Sequence, residues 1–355
     1  MLFRSSLWPA RGRDRSVDNT IGFIEHYLTA RIADGVAYDG SIGAEYKHTD
    51  YRRDNAWDAD FDDAALKSRN ALTFGGNLTL TGGLRYTHFS NEIVLNGVEQ
   101  PDTLKDDGVW SYELGASYSV LENTRLRASV ATGYNRFFEK YGNFGSMALN
   151  TAGAGDDIVE SRTLEVGVRQ GWTGGWFDAA LYNIVQDGVP RQRNGAIESV
   201  EVDQTGLELE VAADITPQVS VSAGYMRVID LTTTGADGRT LNGSIYWDGQ
   251  AASVPENQFN ARITYRPGED WNLWAATYYS TGYEAVNQNG AVVERDGFLR
   301  LDLGVGYWIK PEWAVRLRVE NVLDERDFGS TVKGVTVNDE GKLGRVFWVG
   351  TDYVF

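Results

Sequence analysis

Alternation with a period of two, sustained over ten or more residues and repeated along most of the sequence, constrains this chain more than any other feature. In Gly297–Ile309 (GFLRLDLGVGYWI), Leu299, Leu301, Leu303, Val305 and Tyr307 share one face, and Arg300 and Asp302 share the other. In Trp313–Leu323, Val315, Leu317 and Val319 oppose Arg316, Arg318 and Glu320. Leu207, Leu209 and Val211 oppose Glu208 and Glu210, and Leu164, Val166 and Val168 oppose Glu165 and Arg169. Trp110, Tyr112, Leu114, Ala116 and Tyr118 oppose Ser111, Glu113, Ser117 and Ser119. Successive strand residues point to opposite faces, so this is strand sequence with one apolar and one charged face.

The segments alternate with turns from about Ile21 onward, giving about fifteen strands. Their connections also alternate. Short turns (Asp34-Gly35, Gly75-Gly76-Asn77, Leu121-Glu122-Asn123, Trp172-Thr173-Gly174, Lys310-Pro311-Glu312) take turns with long polar loops such as Phe138–Val159 and Thr232–Pro255. Counted back from Phe355, every short turn falls at the same end as the C-terminus. Outer-membrane barrels have this asymmetry, with short periplasmic turns and long extracellular loops. The last stretch, Gly344–Phe355 (GRVFWVGTDYVF), is an alternating strand with aromatics on its more apolar face. The expected fold class is all-β, a transmembrane antiparallel β-barrel with about fifteen strands present.

Bulk properties agree with that class. A mean hydropathy of -0.36 looks soluble, yet a barrel strand offers only alternate residues to lipid. No run approaches the ~20 apolar residues of a spanning helix. A formal charge of -17 argues against nucleic acid as a partner. With no Cys there is no disulfide framework and no thiolate metal site. Residues 1–19 read as an irregular segment without the apolar core of a secretory signal, and residues 20–355 as the barrel.

Five stretches, in order, resemble strands of TonB-dependent outer-membrane receptors: Leu78–Tyr86 (LTLTGGLRY), Leu114–Tyr134, Glu160–Val168 (ESRTLEVGV), Thr205–Val211 (TGLELEV) and Val319–Asp324 (VENVLD). There are departures. Asp327-Phe328 replaces a Tyr that usually follows the last motif, and Thr351 stands where the closing strand prefers a larger apolar residue. The resemblance implies a barrel of about 22 strands around an N-terminal plug preceded by a TonB box. Neither plug nor box is found, so the chain is expected to be the C-terminal portion of such a barrel, with no plug domain. The implied function is uptake of a large scarce nutrient, a ferric siderophore by preference, at the outer membrane of a Gram-negative bacterium. Alternatives are a receptor for cobalamin or a saccharide, or a passive pore. The implied partners are outer-membrane lipid, the ligand, the TonB complex acting through a plug, and the barrel-assembly machinery at Phe355.

Tyr134, Arg136, Phe138 and Tyr141 lie at a strand exit and in the loop after it, where aromatics and Arg suit an anionic, often aromatic chelate. Trp247 and Tyr283 are further ligand-binding candidates. Asp50, Asp54, Asp58, Asp60, Asp62 and Asp63 read as one acidic loop, without the spacing of a calcium loop. His26, His48 and His88 are too far apart in sequence to suggest a metal site. No metal and no cofactor is expected. His88-Phe89-Ser90 lacks the setting of a hydrolase, so no enzyme is expected either.

Overall fold

A computed structural model describes residues 3–6, 15–53, 57–95, 98–99, 107–136, 158–193, 196–235, 238, 240–242, 244–247, 250–252, 254–286, 292–325, 331–332, 335–336 and 344–353. Fifteen long strands carry the fold: β1 Arg15–Ala33, β2 Val36–Arg53, β3 Trp57–Phe74, β4 Leu78–Leu95, β5 Asp107–Leu121, β6 Thr124–Arg136, β7 Ile158–Trp172, β8 Gly175–Arg193, β9 Ala196–Thr216, β10 Val219–Thr234, β11 Asn257–Tyr265, β12 Trp271–Ser280, β13 Phe298–Lys310, β14 Trp313–Glu320 and β15 Val346–Tyr353. The chain divides into two compact units: Met1–Ser119 with Arg127–Leu164 and Gln186–Pro190, and Val120–Leu126 with Glu165–Val185 and Arg191–Phe355.

In the first unit β1 to β5 pair antiparallel in chain order, and β1–β2 runs from Arg15↔Arg53 to Ala33↔Val36. The two residues Asp34-Gly35 close that hairpin. Gly35 has φ +74°, the left-handed region that a two-residue hairpin turn requires. In the second unit β9, β10, β11, β12, β13, β14 and β15 pair antiparallel in that order.

The ladder continues into the short turns. The Gly75 amide donates to the Gly35 carbonyl at 2.7 Å, and Ser119 to Asn77 at 2.8 Å. In the second unit Gly171 donates to Asn123, Asp214 to Gly174, Arg266 to Gln218 and Trp308 to Asp270, at 2.7 to 2.9 Å. Each hairpin end is therefore tied to its neighbour, leaving few unpaired backbone groups at that rim.

The faces are those read from the sequence, and their exposure separates a membrane wall from a soluble sheet. Ile24 is 73% exposed, Leu66 66% and Val349 78%. Leu114, Leu164, Val166, Leu299, Leu303 and Leu317 are exposed as well. A water-soluble sheet would bury this face, whereas a barrel wall turns it to lipid. Aromatics band the short-turn end of the second unit: Trp271 and Tyr307 stack at 4.6 Å, with Tyr265, Trp313 and Tyr353 exposed on the same face.

Two boundaries differ from the sequence reading. The first long strand begins at Arg15, inside the segment expected to be irregular. The stretch expected to be an acidic loop is largely strand, because β3 starts at Trp57. Asp58, Asp60 and Asp62 alternate with Ala59 and Phe61, which are buried. A strand of 18 residues is roughly 60 Å long, about twice the ~30 Å of hydrocarbon. From Phe74 back to Ala64 the exposed face of β3 is largely apolar. The three aspartates begin beyond that span, where water can solvate them. Asp54 lies outside the described residues.

Candidate functional site

Charged side chains on the polar face pair with one another. In the first unit Lys67 Nζ lies 3.6 Å from Glu25 and 3.8 Å from Glu45. Arg85 donates to Glu45 Oε1 at 2.9 Å and to Thr87 Oγ1 at 3.0 Å, with Tyr134 beside it. Arg69 reaches Glu113 at 3.5 Å. The register makes this a belt across β1 to β5: Glu25 pairs with Gly43, Lys67 with Arg85, and Arg85 with Ser111. In the second unit Arg300 donates to Asp302 at 2.8 Å, Arg318 to Glu320 at 2.6 Å and Arg316 to Asp352 at 2.9 Å. Such pairs suit a wet, protein-lined interior and would be out of place against lipid.

Toward the loop end of the first unit, beyond the belt, the same face mixes buried apolar side chains with polar ones, Lys47, Thr49 and Asp63 among them. Ala59, Phe61, Ala65, Phe89 and Val109 are buried there, and Thr87 is fully buried. Phe89 and Tyr134 face each other with ring centroids 6.1 Å apart. The result is a cluster of two aromatics and one guanidinium on the polar face, running from Arg85 in the belt toward the loop end, with Glu45 bonded to Arg85.

The cluster contains one of the six residues named from the sequence, Tyr134. Arg136 is the last residue of β6, and its side chain lies outside the described set. Phe138 and Tyr141 lie outside the described residues, as does the side chain of Trp247. Tyr283 is half-buried in the second unit, at the base of the hairpin Tyr283–Val286/Val292–Arg295, where it pairs with Arg295. Arg85 is a residue that sequence reasoning misses. Its only signal is its place in Leu78–Tyr86, a charge on the polar face between Leu84 and Tyr86.

His48 bonds Asp62 at 2.9 Å on the other, exposed face. Tyr46 also bonds Asp62. Among the described residues no group of three His, Cys, Asp or Glu is placed to hold a metal ion.

A sheet with paired charges on one face and exposed apolar side chains on the other is the wall of an outer-membrane β-barrel. The family described as "TonB dependent receptor-like, beta-barrel" matches residues 4–322. The chain belongs to that family. It is 24% identical over 223 residues to an uncharacterized TonB-dependent receptor of Haemophilus influenzae, covering 58% of each chain. Among solved structures it resembles the ferric-catecholate import receptor Fiu of E. coli K12 in its closed form, with a TM-score of 0.73 and 16% identity over 100% of this chain and 60% of that one. It also resembles the siderophore receptor PiuA of Acinetobacter baumannii, with a TM-score of 0.70 and 18% identity over 96% and 56%. The chain thus spans somewhat under two thirds of the length of these relatives.

Proposed function

We propose that this chain is barrel wall of an outer-membrane receptor that takes up a ferric siderophore. The observation that carries the reading is the Arg85–Tyr134–Phe89 cluster on the polar face, on the loop side of the belt. An anionic chelate with flat donor groups needs a cation and aromatic surface together. The catecholate and siderophore receptors among the structural relatives support the same ligand class. In this reading lipid covers the apolar face, and TonB acts through a plug domain distinct from this wall. The barrel-assembly machinery engages the closing strand at Phe355.

The test is a titration of the folded chain in detergent with a ferric catecholate and a ferric hydroxamate, each compared with its iron-free form. Saturable binding of a ferric chelate, weakened about tenfold by Arg85→Gln, is the expected result. A steady open conductance in planar bilayers, with no chelate binding, would support the passive pore and sink the receptor reading.

A further inference from the structure

The guanidinium of Arg85 is held along one edge. Its Nε donates to Thr87 Oγ1 at 3.0 Å and its Nη2 to Glu45 Oε1 at 2.9 Å. Those two nitrogens lie on the same side of the planar group, so the two bonds together fix its rotation as well as its place.

The pairing of the strands builds this clamp. Arg85 and Thr87 stand two residues apart on β4 and share its polar face. Glu45 comes from β2, two strands away: Glu45 pairs with Ala65, and Ala65 with Thr87. The short side chain of Ala65 lets Glu45 reach across β3 to Arg85. Thr87 is fully buried, with Ala65, Phe89 and Val109 buried around it. A valine would suit that packing as well. What the threonine adds is an acceptor, and Arg85 uses it. A buried β-branched side chain is stiff about χ1, so the acceptor stays where it is.

We propose that Thr87 is a positioning residue of the ligand site, and that the chelate it helps to select carries a carboxylate at its periphery. This rests on the uptake reading and names a feature of the ligand that the reading leaves open. With Nε and Nη2 engaged, the edge formed by Nη1 and the second N–H of Nη2 is the one left to a ligand. That edge presents two parallel donors, which match the two oxygens of one carboxylate. Tyr134, beside Arg85, adds ring surface for the body of the chelate.

The test uses the full chain folded in detergent and a matched pair of probes: a ferric trihydroxamate with one free peripheral carboxylate, and its methyl ester. Each variant is first checked for its fold by the heat-dependent shift in gel mobility typical of barrels. The acid should bind about tenfold tighter than the ester. Thr87→Val keeps the shape and the charge of the site and should cut that ratio to about threefold, whereas Thr87→Ser keeps the hydroxyl and should preserve it. Arg85→Lys keeps the charge, loses the fork and should also bring the ratio to about threefold. That variant decides the matter if Thr87→Val fails to fold. A general loss of stability leaves the ratio unchanged, because both probes meet the same folded protein. Equal affinities for acid and ester, or a tenfold ratio that survives Thr87→Val or Arg85→Lys, overturn the proposal and leave the uptake reading standing. If neither probe binds, the proposal falls, and the catecholate titration decides whether the uptake reading falls with it.

Discussion

The indole Nε1 of Trp313 donates a hydrogen bond to Thr351 Oγ1 at 2.8 Å, across the β14–β15 pair. The Thr351 hydroxyl in turn donates a hydrogen bond to the Ala314 carbonyl at 3.0 Å. In sequence Thr351 reads as a departure from the pattern of a closing strand. It is instead the acceptor that lets Trp313 sit in the aromatic band with its N–H satisfied, as interfacial tryptophans require.

Thr351→Val keeps the shape and removes the acceptor. It should lower the unfolding free energy of the detergent-folded chain by about 1 kcal/mol. Trp313→Phe should cost at least as much, because it also removes apolar surface. The double variant should cost less than the sum of the two, by roughly 0.5–1.5 kcal/mol, since both remove the same bond. Strict additivity in urea titrations would show that the bond contributes nothing.

Asn321, directly after β14, has φ +51°, and Asp324 follows with φ +55°. The Asn321 side chain donates to the Glu325 carbonyl at 2.7 Å and accepts from the Glu325 amide at 3.0 Å, while its own amide donates to Asp302. It is 4% exposed. Asn321→Ala loses both side-chain bonds and must hold a left-handed backbone, so it should cost roughly 2–4 kcal/mol. Asn321→Gly relieves the backbone and should recover part of that loss. Equal midpoints for the Ala and Gly variants would rule out backbone strain as a contributor.

This turn also marks how far the sequence can be read. Val319–Asp324 is recognisable as a motif, but nothing in its composition says that Asn321 reaches Glu325, because that bond depends on how the chain folds back. Strand faces are legible because their period is a direct result of strand geometry. Strand ends are not. Asp58, Asp60 and Asp62 obey the same alternation as the rest of β3, yet their charge reads as loop. The sequence does not show that a long strand rises clear of the hydrocarbon. In the candidate cluster, Tyr134 is suggested by its position at a strand exit. Arg85 is hidden mid-strand, since its partners Glu45 and Tyr134 come from β2 and β6 and only pairing brings them together.

The belt around Glu45 gives an ordered expectation. Glu45 serves both Arg85 and Lys67, whereas Glu25 forms its ion pair with Lys67. Glu45→Gln should therefore destabilise more than Glu25→Gln. All these side chains are between about a fifth and a third exposed, so solvent screening keeps the larger loss to about 1 kcal/mol. In 1 M salt, where the Debye length is about 3 Å, the gap between the two variants should narrow. Equilibrium unfolding at low and high salt checks both the order and the narrowing.

Gly304 and Gly306 lie two residues apart on the polar face of β13 but differ in the space around them. Gly304 stands opposite Trp274 in the β12–β13 register. A Cβ added there would lie 2.3 Å from the indole, which already carries Arg262 on its ring. At Gly306 the nearest atom to an added Cβ is in the Trp308 ring, at 3.6 Å, an ordinary contact. Gly304→Ala must push Trp274 aside and should cost roughly 1–3 kcal/mol, as overpacking does. Gly306→Ala should be near neutral, because the new methyl fits and alanine loses less backbone freedom on folding than glycine. Comparable losses at both positions would mean that glycine serves backbone conformation here. A loss confined to Gly304 would mean that it serves the indole, and with it the orientation of Arg262.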